Sequence, residues 1–278
     1  MNRIKLIAFD LDGTLLKDNK ELAPETMEVL RQAAEAGICL VPTTGRLYDG
    51  VPEELRTQPF IRYVIAANGA EVYDAKEKKS LYRAELTPEE VRRFFDAVRD
   101  VPAIVGCYKG GQGLMGREDM EKMEAFAARG LFRMMRRVYT QVEDLEAYLL
   151  ETGETVQKLM LFFADLEERV RVLKSMREEL SDLAVSSSVE NNIEVNAAAA
   201  HKGAALRFLY RHLQIERTET AAFGDGSNDV SMLMEAGVGI AMENACQEAK
   251  KAADRITLSN EQNGVAHMIK EFLNEAAV

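Results

Sequence analysis

Short apolar runs alternate with amphipathic stretches at both ends of the chain. Residues 4–9 form an apolar run of strand length, residues 24–36 place apolar side chains at helical spacing, and residues 38–41 form a second apolar run. A strand, a helix and a strand in this order predict a parallel crossover unit. The pattern returns late, with helices predicted at 202–213 and 230–236 and strands at 220–223 and 238–242. Both ends of the chain therefore predict one doubly wound, Rossmann-like parallel sheet, which is an α/β fold.

The middle of the chain has a different pattern. Thr87 and Glu90 have the spacing of a capping box that opens a helix. Residues 156–163 are strand-like, residues 166–180 are helix-like, and two further strands at 183–188 and 193–195 flank a turn at 190–192. We therefore expect an inserted α+β domain at 84–195, with residues 1–83 and 196–278 forming the α/β core.

Charge and composition narrow the classes of partner. The 278 residues include 35 Lys and Arg against 46 Asp and Glu, which gives a formal net charge of −11. This acidic balance disfavours nucleic acid and anionic membranes as partners. The three cysteines form no short pair, and no apolar run reaches the roughly 20 residues of a membrane span. The expectation is a cytoplasmic protein that is a monomer or a small homo-oligomer.

Two aspartates follow the first predicted strand, in the sequence Asp-Leu-Asp-Gly-Thr at residues 10–14. In open α/β sheets, ligands bind beyond the carboxyl ends of the strands. Two carboxylates at this spacing can divide the chemistry there, one as a nucleophile and the other as the group that moves a proton. Taken alone, the same residues are more typical of a solvated Asp-Gly turn.

Three further motifs carry candidate chemistry. Thr44 and Gly45 follow the second predicted strand, where a hydroxyl and the free amides of a helix start can form a phosphate cradle. Lys202 opens a predicted helix, and Asp225 and Asp229 follow a late strand, where carboxylate oxygens can bind a hard cation. Each motif alone is explained by a helix cap, a surface lysine or a turn. Because three of the four motifs follow strands at the same edge of one sheet, they predict a shared site.

In combination these motifs resemble the haloacid dehalogenase superfamily of phosphotransferases, and specifically its Cof-type branch with a C2-type (IIB) cap. The resemblance rests on residues 10–14 and on the sequence Gly-Asp-Gly-Ser-Asn-Asp at 224–229. Supporting matches are Thr-Gly-Arg at 44–46, Asn-Gly-Ala at 68–70, Lys-Gly at 202–203 and the tail segments 241–245 and 263–265. The inserted domain matches a cap in position and size.

The resemblance implies a Mg²⁺-dependent phosphatase that acts on small phosphorylated metabolites such as sugar phosphates. Asp10 would form an aspartyl-phosphate, and Asp12 would protonate the leaving oxygen and then activate water. Mg²⁺ would be held by the Asp10 carboxylate, the Asp12 backbone carbonyl and Asp225, with Asp229 close by. A mobile cap would close over the substrate and carry the residues that set specificity.

The resemblance also assigns residues to the phosphate. The transferring phosphoryl group would be bound or oriented by Thr44, Gly45, Lys202 and Asn228. Position along the chain makes Arg46, which follows the Thr44 cradle, and Asn68, which follows a third apolar run, candidates for substrate binding, and a simple Asn-Gly turn is the alternative for Asn68. A charged outer strand face is favoured over an anion clamp for the basic cluster of Arg133, Arg136 and Arg137.

Two alternatives to a phosphatase stay open. A phosphomutase or phosphotransferase of the same superfamily would pass the phosphoryl group to a sugar instead of to water. A metabolite-sensing binding protein is the alternative from another class, and the complete set of Asp10, Asp12, Lys202 and Asp225 argues against it. The resemblance further implies that Asp12 favours rapid turnover of the phosphoenzyme, because the P-type ATPases of this superfamily carry Thr at the matching position.

Overall fold

The computed structural model describes residues 3–126, 138–187 and 189–276. The chain divides into two compact units, one made of Met1–Tyr82 with His201–Val278 and the other of Arg83–Ala200. The second unit, unit 2, is thus an insertion in the sequence of unit 1. Its limits differ from the predicted limits of 84 and 195 by one residue and five residues, respectively.

Short strands make up two main sheets and one small sheet. In chain order the strands are β1 (Leu6–Phe9), β2 (Cys39–Pro42), β3 (Tyr63–Ala66), β4 (Glu71–Asp74), β5 (Lys79–Arg83), β6 (Ile104–Lys109), β7 (Gln112–Gly116), β8 (Tyr139–Val142), β9 (Lys158–Phe162), β10 (Ala184–Ser186), β11 (Asn192–Asn196), β12 (Thr220–Gly224), β13 (Val238–Ala241) and β14 (Arg255–Ile256).

The helices fill most of the connections. In chain order they are α1 (Pro24–Glu35), α2 (Glu53–Arg56), α3 (Pro88–Val98), α4 (Arg117–Phe126), α5 (Leu145–Thr152), α6 (Leu166–Glu179), α7 (Lys202–His212), α8 (Val230–Glu235), α9 (Gln247–Ala252) and α10 (Gly264–Ala276). Among the described residues, no helix is both long enough and apolar enough to cross a membrane.

The main sheet of unit 1 is parallel throughout, with the strand order β14-β13-β12-β1-β2. Strand β1 lies inside it, so that Phe9 pairs with Phe223 on one side and with Pro42 on the other. The predicted doubly wound sheet is confirmed. Because parallel strands end at the same edge, the loops after β1, β2 and β12 leave the sheet together. The small antiparallel pair β3–β4, with β5 beside it, adjoins this sheet through a bridge between Thr43 and Ile65.

Burial explains why these short segments are strands. Leu6, Ile7 and Phe9 of β1 have no exposed surface, which is typical of a parallel strand covered on both faces by helices. Helix α1 starts at Pro24, whose missing N–H needs no partner in the first helical turn. The helix ends before Gly37, which has a φ of +87°.

Unit 2 is an α+β unit with a six-stranded sheet in the order β10-β11-β9-β6-β7-β8. Its strands are antiparallel to their neighbours except for β7 and β8, which are parallel. The capping box predicted from Thr87 and Glu90 is present at the start of α3. The Thr87 hydroxyl accepts the Glu90 backbone N–H, and the Glu90 carboxylate accepts the Thr87 backbone N–H. Helix α3 buries Val91, Phe94 and Phe95, which supply part of the core of this unit.

The turn after β3 brings the chain against the start of α7. Ala67, Asn68 and Gly69 all have left-handed backbones, with φ values of 49°, 61° and 98°. A Cβ atom on Gly69 would lie 2.5 Å from the carbonyl carbon and oxygen of His201 and 2.8 Å from the backbone nitrogen of Lys202. The close approach that supports the first turn of α7 therefore requires glycine at position 69.

The Gly69→Ala variant is expected to lose stability for two reasons, an unfavourable φ and a collision with α7. The φ alone costs an alanine roughly 1 kcal/mol, and the collision adds about 1–3 kcal/mol. Chemical denaturation followed by circular dichroism measures the free energy of unfolding. Gly37→Ala is the matched control, because its φ of +87° is similar but no atom lies within 4 Å of the added Cβ. Equal losses in the two variants would show that position 69 has no steric constraint.

Candidate active site

Three strand ends meet at the carboxyl edge of the main sheet of unit 1. Asp10 follows β1, and its backbone N–H donates a hydrogen bond to Phe223 O at 3.0 Å. Asp225 follows β12 directly. The backbone N–H of Thr43, which follows β2, donates to Phe9 O at 2.8 Å. The sheet itself therefore brings the first, second and fourth sequence motifs together.

Lys202 joins two of the aspartates. Its Nζ donates to Asp10 Oδ1 and to Asp229 Oδ1, both at 2.6 Å, and its side chain has no exposed area. Lys202 is the first residue of α7, and His201 caps that helix by accepting the Ala204 N–H on Nδ1 at 3.1 Å. The fold thus fixes the lysine at a helix start rather than on the surface, and the surface-lysine interpretation is excluded.

Charge and burial compete at this ion pair. Burial opposes the charge on Lys202, but the carboxylates of Asp10 and Asp229 outweigh it, so the pKa of Lys202 is raised above its ordinary value. Burial also raises the pKa of Asp10 well above its ordinary value. The lysine opposes this rise, and the negative charges of Asp229 and Asp225 add to it. Asp10 is therefore a carboxylate whose negative charge is incompletely compensated.

Asp225 is held by residues of the first motif. The Thr14 hydroxyl donates to Asp225 Oδ1 at 2.7 Å, across 211 positions of the chain. Gly13 has a φ of +88°, and a Cβ there would lie 2.4 Å from Asp225 Oδ2. Asp229 fixes the following backbone, since its Oδ2 accepts the N–H groups of Asp225 and Gly226, both at 2.9 Å.

The residues present fit a divalent cation. Asp10, Asp225 and Asp229 each place a carboxylate oxygen within 4.8 Å of the others. When ionised, these three carboxylates carry two more negative charges than the ammonium of Lys202 offsets. Burial, followed by the negative charge of Asp229, raises the pKa of Asp225 to about 6. Hard oxygen donors with uncompensated charge are the ligand set that Mg²⁺ and similar ions prefer.

Asp12 has different partners. Its carboxylate accepts a two-pronged hydrogen bond from Arg46, with Nε to Oδ2 at 2.9 Å and Nη2 to Oδ1 at 2.6 Å. Lys20 Nζ lies 3.1 Å from Oδ1 of the same carboxylate. Burial alone would raise the pKa of Asp12, but hydrogen bonding and charge from Arg46, with a smaller contribution from Lys20, lower it. The two aspartates of the first motif thus lie in opposite electrostatic environments.

The second motif adopts a geometry that the sequence analysis did not anticipate. Thr44 is not at a helix start, because the next helical residues form a 3₁₀ turn at Tyr48–Gly50. Its buried hydroxyl accepts the Arg46 N–H at 3.1 Å, so the helix start expected after Thr44 and Gly45 is wrong, whereas phosphate binding by these two residues stays a prediction. A threonine hydroxyl that bonds the backbone two residues on forms a local turn instead of opening a helix.

Asn68 and Asn228 come together although 160 residues separate them. The Asn228 side-chain amide donates to Asn68 Oδ1 at 3.3 Å, and the Asn68 N–H donates to Thr44 O at 3.0 Å. Asn68 therefore links the loop after β2 to the loop after β12. The cluster of Arg133, Arg136 and Arg137 lies outside the described residues.

Sequence reasoning missed three contributors. Thr14 ends the first motif and bonds Asp225, Lys20 contacts Asp12, and the Asn244 side-chain amide donates to Gly13 O at 2.8 Å. A signal existed for two of them, because Thr14 lies in the first motif and Asn244 lies in a matched tail segment. No pattern along the chain marks Lys20.

Fold and site together define an α/β protein with a cluster of carboxylates at the carboxyl edge of a parallel sheet. The sequence profile of the haloacid dehalogenase-like hydrolases matches residues 7–269. The chain belongs to this family, in its Cof-type phosphatase branch, which confirms the resemblance seen in the motifs and the prediction of an enzyme. Enzymes of this family use a divalent metal, in agreement with the acidic cluster.

Similarity to individual proteins extends over nearly the whole chain. The phosphatase YwpJ of Bacillus subtilis (strain 168) is 34% identical, with 97% of this chain and 100% of the relative covered. A 5-amino-6-(5-phospho-D-ribitylamino)uracil phosphatase of the same organism is 30% identical over 98% of this chain and 99% of its own length. The crystal structure of a haloacid dehalogenase-like hydrolase from B. subtilis has a TM-score of 0.80 at 31% identity, with 96% and 99% coverage.

The pKa of Asp225 predicts how the stability of the metal-free protein depends on pH. The folded protein retains this proton up to about pH 6, whereas the unfolded chain loses it near the ordinary value of 3.8. Ionisation of Asp225 therefore destabilises the fold increasingly as the pH rises from about 4 to 6. The Asp225→Asn variant should be more stable than wild type above pH 6 and similar to it below pH 4.

Urea denaturation in EDTA across this pH range measures the difference. Asp100→Asn, at an exposed position of unit 2, is the control for removal of one negative charge. A pH-independent difference between Asp225→Asn and wild type would contradict the assigned shift.

Proposed function

We propose that this enzyme hydrolyses small phosphomonoesters with Mg²⁺ and forms an aspartyl-phosphate on Asp10. The observation that carries the proposal is the position of Asp10 at the end of the inner strand β1, hydrogen-bonded to the buried Lys202 beside Asp225 and Asp229. A relative named for a phosphorylated ribitylamino-uracil supports a small phosphorylated metabolite as substrate. We propose sugar phosphates or similar compounds as the substrate class.

In the first half-reaction, an oxygen of the Asp10 carboxylate attacks the phosphorus. The new oxygen–phosphorus bond forms as the ester bond to the leaving group breaks. Asp12 protonates the leaving oxygen, which departs as an alcohol. Lys202 keeps Asp10 oriented and offsets part of the charge that the incoming phosphate adds to the site.

In the second half-reaction, a water molecule attacks the phosphorus of the aspartyl-phosphate. Asp12, now ionised, accepts a proton from that water, and inorganic phosphate leaves as the Asp10 carboxylate is restored. The low pKa of Asp12 beside Arg46 favours the ionised form that this step needs at its start. The first half-reaction requires the opposite form, so Asp12 must exchange its contacts with Arg46 during the cycle.

The acidic cluster and the neighbouring loops have separate roles in the proposal. Mg²⁺ would be held by the Asp10 carboxylate, the Asp12 backbone carbonyl and Asp225, with Asp229 close by. When bound, the ion neutralises the negative charge of nucleophile and phosphate and stabilises charge in the transition state. The phosphoryl oxygens would be bound or oriented by Thr44, Gly45, Lys202 and Asn228. We assign part of the substrate specificity to unit 2.

Phosphate release from a panel of phosphorylated metabolites, with Mg²⁺ and with EDTA, tests this function. The wild-type enzyme should release inorganic phosphate only with the metal. The Asp10→Asn variant should lose at least about 1,000-fold in rate, because an amide cannot serve as the nucleophile.

The fold should survive this substitution, since a neutral side chain relieves the repulsion from Asp225 and Asp229. Thermal denaturation checks that expectation, and the exposed Asp100→Asn is the activity control. Near wild-type turnover in a folded Asp10→Asn variant would refute the nucleophile assignment. Absence of phosphate release from every compound would refute the function.

A further inference from the structure

Two cations contact the Asp12 carboxylate at the more open side of the site. Arg46 and Asp12 have 33% and 37% of their side chains exposed, and Lys20 has 57%. The ion pair between Lys202 and Asp229, by contrast, has exposures of 0% and 1%. The site thus has a buried charge cluster around Lys202 and a solvent-accessible one around Asp12.

The two clusters carry opposite charge imbalances. The buried cluster has three carboxylates and one ammonium, so it lacks positive charge. Among the residues that the structure describes, Arg46 and Lys20 form ion pairs with a single carboxylate, that of Asp12, which leaves one positive charge in excess. A divalent cation matches the first imbalance, whereas an anion matches the second.

The guanidinium of Arg46 is held by its own loop rather than by Asp12 alone. Nη1 of the guanidinium donates to Gly50 O at 2.9 Å. The Arg46 backbone is held as well, because its carbonyl accepts the Ala67 N–H at 2.8 Å. The remaining prong, Nε and Nη2, forms the planar pair of donors that binds a carboxylate or a phosphate equally well. This prong can therefore stay in place while one anion replaces another.

We propose that Arg46 and Lys20 bind a second anionic group on the leaving part of the substrate, so that the enzyme prefers phosphomonoesters bearing a carboxylate or a further phosphate. This inference rests on the proposed function, which places the leaving oxygen beside Asp12. The second anion takes the donors that Asp12 now occupies, and the Asp12 carboxylate is released to face the leaving oxygen. A neutral leaving group supplies no anion to take the place of Asp12 on Arg46. Asp12 can then turn towards the leaving oxygen only if the Arg46 guanidinium loses its carboxylate partner.

Pairs of substrates that differ by one anionic group test the proposal. The carboxylate pair is 3-phosphoglycerate and glycerol 3-phosphate, and the phosphate pair is 1,3-propanediol bisphosphate and 3-hydroxypropyl phosphate, so that every compound is a phosphomonoester with an alcohol as its leaving group. Initial rates of phosphate release give kcat and KM for the wild type and for Arg46→Gln, Arg46→Lys and Lys20→Gln. Lys17→Gln removes a charge from the same loop as Lys20 and is the matched control.

For wild type, we expect kcat/KM to be at least about tenfold higher for the anionic member of a pair. Arg46→Gln should remove most of that ratio, mainly through a higher KM for the anionic member. Arg46→Lys should keep part of it, because the charge remains without the planar prong. Lys20→Gln should have a smaller effect in the same direction, since Lys20 makes one contact and is more exposed.

The ratio separates recognition from a structural role. If Arg46 only supports the loop, Arg46→Gln lowers both members of a pair equally and the ratio persists, which overturns the proposal. A wild-type ratio near one in both pairs also overturns it. A preference in only one pair supports the proposal and identifies that anion as the one recognised. If no compound releases phosphate, the proposed function fails and this inference fails with it.

Discussion

The site depends on one buried interaction, the ammonium of Lys202 between the carboxylates of Asp10 and Asp229. A fully buried lysine is tolerated only when its charge is paired and its hydrogens are bonded. The parallel pairing of β1 with β12 holds Asp10 and Asp225, the aspartates that follow these strands, close together. Their negative charges therefore cannot move apart. When the carboxylates of Asp10, Asp225 and Asp229 are all ionised, Lys202 leaves two negative charges uncompensated, and that remainder suits a divalent cation.

Backbone contacts make this concentration of charge possible. Gly13 lets the first loop approach the Asp225 carboxylate to a distance that no side chain would permit, and Asn244 holds the Gly13 carbonyl there. The Gly69 turn supports the helix start that delivers Lys202. The acidic groups are thus fixed by the backbone before a metal binds, which reduces the reorganisation that binding requires.

The sequence predicted the sheet and the meeting of three motifs at its strand ends because each depends on local periodicity and on strands that end together. It could not predict contacts made by long side chains across loops. Arg46 can pair with Asp12 because the Gly50 carbonyl accepts a hydrogen bond from the same guanidinium and holds it in place. The hydrogen bond from Thr14 to Asp225 spans 211 residues. The helix start expected at Thr44 failed because its hydroxyl bonds Arg46.

The strands of unit 2 show a second limit. No strand was predicted at β6, β7 or β8. In β6, Gly106 interrupts the run of apolar side chains. The structure explains this glycine, because a Cβ at that position would lie 3.0 Å from the ring of Tyr139 on β8. A glycine favoured by an aromatic ring on another strand cannot be recognised from its own segment of the sequence.

Chemical trapping of the enzyme during turnover tests the central claim, that the uncompensated carboxylate of Asp10 is the nucleophile. Borohydride reduces an aspartyl-phosphate to homoserine, and fragmentation of the peptide that holds residues 10–14 locates the change. We expect homoserine at position 10 when substrate and Mg²⁺ are present, and an unmodified peptide when substrate is omitted. Trapping at another residue, or phosphate release with position 10 unmodified throughout, would contradict it.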